Sequence, residues 1–211
     1  MVRLIRSVCV VATVACLLAG SAWAGLVPVL LDPMTFSDLD VTGPVTAVMT
    51  SNYNYAGTFT GRVMSQTFVL DDGTFLYLYQ VDNYGTSYME KFTVGDFPGL
   101  LAPTGYLTGG EPAGFLPPDV DPLGAAYDAA LSQPTLGFDY TAFFEGEVEA
   151  GHHTSVMYAI APHGPTEGEA YLLDQGIAVV AVFVPTPEPA TLGLMGLGLV
   201  FAATSRIRRR R

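Results

Sequence analysis

A chain of 211 residues fits a single domain, and half of it is hydrophobic while only 14% is charged. The charge is segregated: residues 25–185 hold two basic and nineteen acidic residues, a net of −17, against −11 for the whole chain. A field of that sign repels nucleic acid and anionic lipid, so neither is expected as a partner of this segment.

Residues 1–24 have the three parts of a secretory signal peptide. Arg3 and Arg6 make a positive start, and 8–19 is an apolar run broken only by Thr13. Ala22 and Ala24 flank Trp23 in the small-x-small pattern that signal peptidase cuts. The apolar run is too short to cross a ~30 Å hydrocarbon core comfortably, so cleavage between Ala24 and Gly25 is expected rather than a permanent anchor. No cysteine follows the small residues, which argues against a lipoprotein signal. Cys9 and Cys16 both lie in the removable run. The trimmed chain therefore has no thiolate catalysis, no cysteine-ligated zinc and no internal disulfide.

The body, 25–184, reads as one acidic all-β domain. Residues 65–70 and 74–81 flank Asp71-Asp72-Gly73, the signature of a β-hairpin. Asp82-Asn83-Tyr84-Gly85 marks a second turn, with a third strand at 87–94. On the middle strand Phe75, Tyr77, Tyr79 and Val81 share one face and Leu76 and Leu78 the other. A strand apolar on both faces belongs at the centre of a sheet. Further strands are expected at 137–144, 154–161, 171–173 and 177–184, with a short helical turn at 124–131. Short strands with frequent turn signals predict an antiparallel β-sandwich. Residues 95–134, with seven prolines and seven glycines, are expected as a long loop holding a strand around Tyr106-Leu107-Thr108.

Candidate chemistry in the body is sparse. Asp119-x-Asp121-x-x-Gly124 opens like a calcium loop, but its fifth and twelfth positions are Leu123 and Ala130, so a ligand and the closing glutamate are missing; a solvated acidic loop is the simpler reading. Glu145, Glu147 and Glu149 alternate, which on a strand sets three carboxylates on one face. They suit a divalent cation, a glycosidase pair or, more simply, an exposed face. His152 and His153 are adjacent and would point to opposite sides of a strand, while His163 sits in a Pro-His-Gly-Pro turn. Surface histidines are expected at all three. Tyr53, Tyr55, Tyr77 and Tyr79 have sheet spacing, and are read as core or cross-strand pairs before a sugar-binding face. No G-x-S-x-G elbow, H-E-x-x-H pair or phosphate-binding glycine loop occurs.

The chain ends in a third organised segment, 185–211. Pro185, Pro187 and Pro189 make an extended spacer, and 190–204 follows as fifteen residues without a charge. As a single transmembrane helix it would be roughly 22 Å long, short of the ~30 Å core. Leu192, Leu194, Leu197, Leu199, Val200 and Phe201 together favour insertion by about 2–4 kcal/mol, partly offset by three glycines and two threonines. Arg206, Arg208, Arg209, Arg210 and Arg211 then hold the inner edge, which leaves the body outside. Pro187-Glu188-Pro189, a short glycine- and leucine-rich helix and a terminal arginine cluster, in that order, closely resemble the PEP-CTERM sorting signal. The resemblance implies processing near the Pro-Glu-Pro motif by exosortase, a membrane-embedded enzyme of bacteria that make extracellular polysaccharide. The runs GTFLYLYQVDN at 73–83, TSVMYAIAP at 154–162 and DQGIAVVAVFVP at 174–185 also resemble segments of bodies that carry this tail.

Together these features predict a non-enzymatic protein, passing through the inner membrane and delivered to the cell surface or extracellular matrix. No cofactor and no metal site are expected. Its partners would be signal peptidase, an exosortase-like enzyme, the membrane through the C-terminal helix before processing, and extracellular polysaccharide. The alternatives are a secreted carbohydrate-binding module, which needs exposed aromatic residues, or a secreted hydrolase, which needs two carboxylates about 5–10 Å apart in a cleft.

Overall fold

The computed structural model describes residues 27–129, 133–141, 147–174 and 176–186. The expected signal peptide 1–24, Pro187-Glu188-Pro189, the 190–204 segment and the arginine cluster lie outside them. Among the described residues, no helix is long and apolar enough to cross a membrane.

The strands, in chain order, are β1 (Val27–Val29), β2 (Leu31–Met34), β3 (Val41–Pro44), β4 (Met49–Tyr55), β5 (Phe59–Leu70), β6 (Phe75–Asn83), β7 (Lys91–Val94), β8 (Leu101–Leu107), β9 (Gly124–Asp128), β10 (Thr135–Asp139), β11 (Met157–Ala161), β12 (Pro165–Asp174) and β13 (Gly176–Pro185). A 3-10 turn at Phe36–Asp38 joins β2 to β3. One sheet has six strands in the order β1-β9-β10-β7-β12-β13; the other has seven, in the order β2-β8-β11-β6-β5-β3, with β4 also paired to β5. All pairs are antiparallel except β2 with β8. The expected all-antiparallel arrangement is therefore corrected to one antiparallel and one mixed sheet.

The sheets face each other across a common core. From the seven-stranded sheet come Phe59, Val63, Tyr77, Tyr79, Val81, Met157 and Ala159; from the six-stranded sheet Phe92, Val94, Leu136, Phe138, Leu172, Val180 and Val182. Tyr79 meets Phe92 with ring centroids 5.7 Å apart. Fully burying a side chain of this size contributes on the order of 1.5–3 kcal/mol. The predicted hairpin is β5–β6: Gly73 takes φ +84°, which a residue with a Cβ resists, and Asp72 Oδ1 accepts from the Thr74 amide at 2.8 Å. The two-faced reading of the middle strand also holds. Tyr77, Tyr79 and Val81 face the common core, while Leu76 and Leu78 join a second cluster with Leu39, Met64, Phe68, Leu107, Phe115 and Tyr158 on the far side of the sheet.

That second cluster explains the Pro/Gly-rich stretch. Residues 95–134 contain two strands, β8 in the seven-stranded sheet and β9 in the six-stranded one, and the segment between them brings Phe115 down onto the cluster. Gln80, wholly buried on β6, fastens it: Nε2 donates to the carbonyls of Leu116 and Thr154, both at 2.9 Å, and Oε1 accepts from the Leu116 amide at 2.8 Å. The expected helical turn at 124–131 is corrected to strand β9, because β1 and β10 hydrogen-bond its two edges and override the helix preference of its alanines. The third strand expected at 87–94 is shorter, and it crosses to the six-stranded sheet between β10 and β12 instead of continuing the hairpin. The strand expected at 137–144 runs from Thr135 to Asp139.

Candidate functional site

The tyrosines at sheet spacing do not form a binding face. Tyr53, Tyr77 and Tyr79 are buried, and their hydroxyls donate to the carbonyls of Asp82, His163 and Phe183. Tyr55 alone of the four is exposed.

Asp119 and Asp121 do not converge as calcium ligands. Asp119 Oδ2 accepts from the His153 amide at 3.1 Å and contacts Nδ1 of His152 at 3.0 Å, while Asp121 Oδ1 accepts from Ser155 Oγ. Desolvation pushes the Asp119 carboxyl up, but the His153 amide, the His152 hydrogen bond and the two imidazole charges outweigh it and hold it below the usual carboxylate range. Both aspartates thus tie the Pro/Gly-rich segment to 152–155. The two histidines, expected to diverge, meet on this one carboxylate, because the chain at 152–153 precedes β11 and is not itself a regular strand. Glu145 lies outside the described residues; Glu147 and Glu149 flank buried Val148, which bridges to Met89. No group of three or more histidine or acidic side chains among the described residues is placed to hold a metal ion.

Two hollows remain. One, of about 320 Å³, has a floor including Leu39, Leu70, Leu101 and Ile160 and a rim including Asp38, Asp40, Asp71 and Asp72. Three of its acids are engaged: Asp38 accepts from Thr35 and Asp72 from Thr74 within turns, and Asp71 accepts from Thr42 on β3. Those hydrogen bonds lower the Asp38 and Asp72 carboxyls, the side-chain bond from the threonine first.

The other is a cleft of about 530 Å³ in the six-stranded sheet, lined by Gly95, Asp96, Gln133, Thr135, Glu169 and Tyr171 among others. It exists because β7 is short. Beyond the partners of Val94, β12 continues through Glu169 to Pro165 and β10 through Thr135 alone, while the chain leaves the sheet at Gly95 and Asp96. The Gly95 amide still donates to the Glu169 carbonyl at 2.9 Å, and Phe97 donates to the Pro134 carbonyl at 2.8 Å, so the departing chain is pinned to both neighbours. Asp96 takes φ +47°, a conformation that aspartate tolerates better than most side chains. A Cβ at Gly95 would stand 3.1 Å from Tyr171 Cε2, so glycine is what lets the ring lie against the backbone. Gln133 Nε2 donates to Asp96 Oδ2 at 3.3 Å, and the Tyr171 hydroxyl donates to Glu169 Oε2 at 3.0 Å. The Glu169 hydrogen bond, some desolvation and the charges of Glu169 and Asp96 raise the Tyr171 phenol above its ordinary value. No motif marked these residues: three chain segments supply them, and only the alternation of Glu167, Glu169 and Tyr171 hinted that one face of this strand meets water.

The body ends where the tail begins. Pro185 is the last residue of β13, and Thr186 donates through both its amide and its hydroxyl to the Gly164 carbonyl, each at 2.8 Å. Residues 185–211 match the PEP-CTERM protein-sorting motif family. No curated protein and no solved structure matches the chain. The chain thus carries a PEP-CTERM sorting motif, which supports an exported, cell-surface-directed protein handled by an exosortase-like membrane enzyme.

Proposed function

We propose that this protein is an envelope or extracellular-matrix component whose acidic β body is delivered outward by the two ends and then acts without catalysis, by structural, adhesive or polymer-associated contacts. Signal peptidase cuts after Ala24, the 190–204 segment holds the chain briefly in the inner membrane with its arginines inside, and an exosortase-like enzyme acts near Pro187-Glu188-Pro189. The observation that carries this reading is continuity: the sorting motif starts at the final residue of the last core strand. The handle is therefore attached directly to a body that is already closed and pinned at Thr186.

The marginal length of the 190–204 segment supports a temporary anchor, since a helix of about 22 Å falls short of a ~30 Å core. The body needs no disulfide outside the cytoplasm, because its stability comes from two apolar clusters. Replacing Pro187, Glu188 and Pro189 together by alanine tests the sorting step by cell fractionation in the producing bacterium. The reading requires the variant to accumulate in the inner membrane at full tail length, with loss from surface and medium. Delivery at the normal level would contradict it.

A further inference from the structure

We propose that the cleft between β10 and β12 binds amino sugars carrying a free, protonated amine, as units of a cationic hexosamine polymer. The inference rests on the polymer-associated reading above and names its site and ligand class.

Three features of the cleft point the same way. Tyr171 presents an aromatic ring, held in place from behind by Gly95 and at its hydroxyl by Glu169. A pyranose ring has an apolar C–H face that packs on such a surface, and Tyr supplies that contact at low conformational cost. Gln133 and Thr135 supply both donors and acceptors, the mixture that ring hydroxyls need. Asp96 and Glu169 are acceptor-only carboxylates, and each has accepted one neutral donor while lacking a cationic partner. Among the described residues, Arg62 and Lys91 are the only arginine or lysine side chains. Arg62 pairs with Asp82 on the other sheet, and the Lys91 side chain runs from the far end of β7 over Gly137 toward Thr93 without forming an ion pair with either carboxylate. A cationic ligand therefore meets two carboxylates that no arginine or lysine among the described residues already holds. A protonated amine meets both carboxylates in charge-assisted hydrogen bonds, which are the strong ones.

The surroundings favour the same class. A body of net charge −17 raises the local concentration of a cationic polymer and repels uronic-acid or sulfated chains. The hollow falls within the ~300–1,000 Å³ of small-ligand sites, room for a sugar unit. The backbone at Asp96 is in the left-handed region, a local cost that is commonly found where a side chain must be aimed.

The test is calorimetric titration of the full chain, purified in mild detergent, with oligomers of glucosamine, N-acetylglucosamine and glucose. Saturable binding of the glucosamine oligomer is expected, at least tenfold tighter than either other oligomer. Tyr171→Ala should weaken it at least tenfold, and so should Asp96→Asn with Glu169→Gln. Tyr171→Phe, which keeps the ring and guards against a folding artefact, should retain binding. Asp40→Asn, an acid far from the cleft, should leave it unchanged. The proposal is overturned by no saturable binding, by equal or tighter binding of the acetylated or neutral oligomers, or by binding that survives the Tyr171 and carboxylate variants, which would mark general attraction to an acidic surface. Delivery of the protein, read by fractionation, is independent of these results, so failure here leaves the sorting account intact.

Discussion

Asp82 carries a nearly buried carboxylate on β6, and its environment decides what it costs. Oδ2 accepts from Arg62 Nε and from the Tyr84 hydroxyl, while the guanidinium lies 5.9 Å from the Tyr84 ring centroid. Removing the cation strands a buried charge, so Arg62→Met should destabilise the body by about 3 kcal/mol, the low end for a buried pair because a third of the Arg62 side chain is in water. Denaturant unfolding checks this, and adding Asp82→Asn should restore part of the loss. Asp119 sets an acid limit. Its folded value lies below the unfolded ~3.9, so its contribution is complete above that pH and is lost as pH falls through the folded value. Melting temperature followed from pH 5 to pH 2 should therefore fall less steeply in Asp119→Asn than in the parent. The core tyrosines set an alkaline limit. Burial raises the phenols of Tyr53, Tyr77, Tyr79 and Tyr158, so their stabilisation is full below the unfolded ~10 and is lost as pH rises beyond it. Tyrosinate absorbance should show a late step in which this buried set ionises together with unfolding.

Elements with a local signal were legible in the sequence, and elements formed by distant pairing were not. The β5–β6 hairpin was readable because Asp72 and Gly73 dictate the turn and the alternation on β6 continues through Val81. β13 was readable for a different reason, as its run of isoleucine, valines and phenylalanine from 177 to 184 is short, β-branched and bounded by Gly176 and Pro185. β9 was not, since Gly124, Ala125 and Ala126 lack strand preference and acquire it from two flanking partners. β12 showed only its last apolar residues, because Pro165, Gly168 and the glutamates mask a ten-residue strand. The cleft was invisible, since it arises where the chain leaves β7 while β12 continues and the 133–135 stretch closes the other side, a property of three segments at once. The Pro/Gly-rich segment is similarly held from afar. Gln80→Leu removes three hydrogen bonds and leaves the Leu116 amide and carbonyl without these partners, and should cost about 3 kcal/mol. Limited proteolysis should then cut within 108–123 before the body unfolds; unchanged resistance would mean that the segment is held by something other than Gln80.

At the scale of the whole molecule, the body is closed at both sides. β1 and β2 lie in different sheets and are separated by the single residue Leu30. On the other side Ser51 Oγ donates to the Ala181 carbonyl at 2.7 Å, and the Phe183 amide donates to Ser65 Oγ at 3.2 Å, joining β13 to the opposite sheet. Such a body can travel outward and stay folded without covalent staples, and its acidity keeps it from sticking to anionic surfaces on the way. If the two ends direct its export, both should be trimmed. Intact-mass measurement of the protein recovered from envelope and medium reads both termini at once. A species starting at Gly25 and ending near Pro187–Pro189 is expected, with any attached carrier seen as added mass. Recovery of the complete 22.4 kDa chain from the cytosol, untrimmed at both ends, would contradict it.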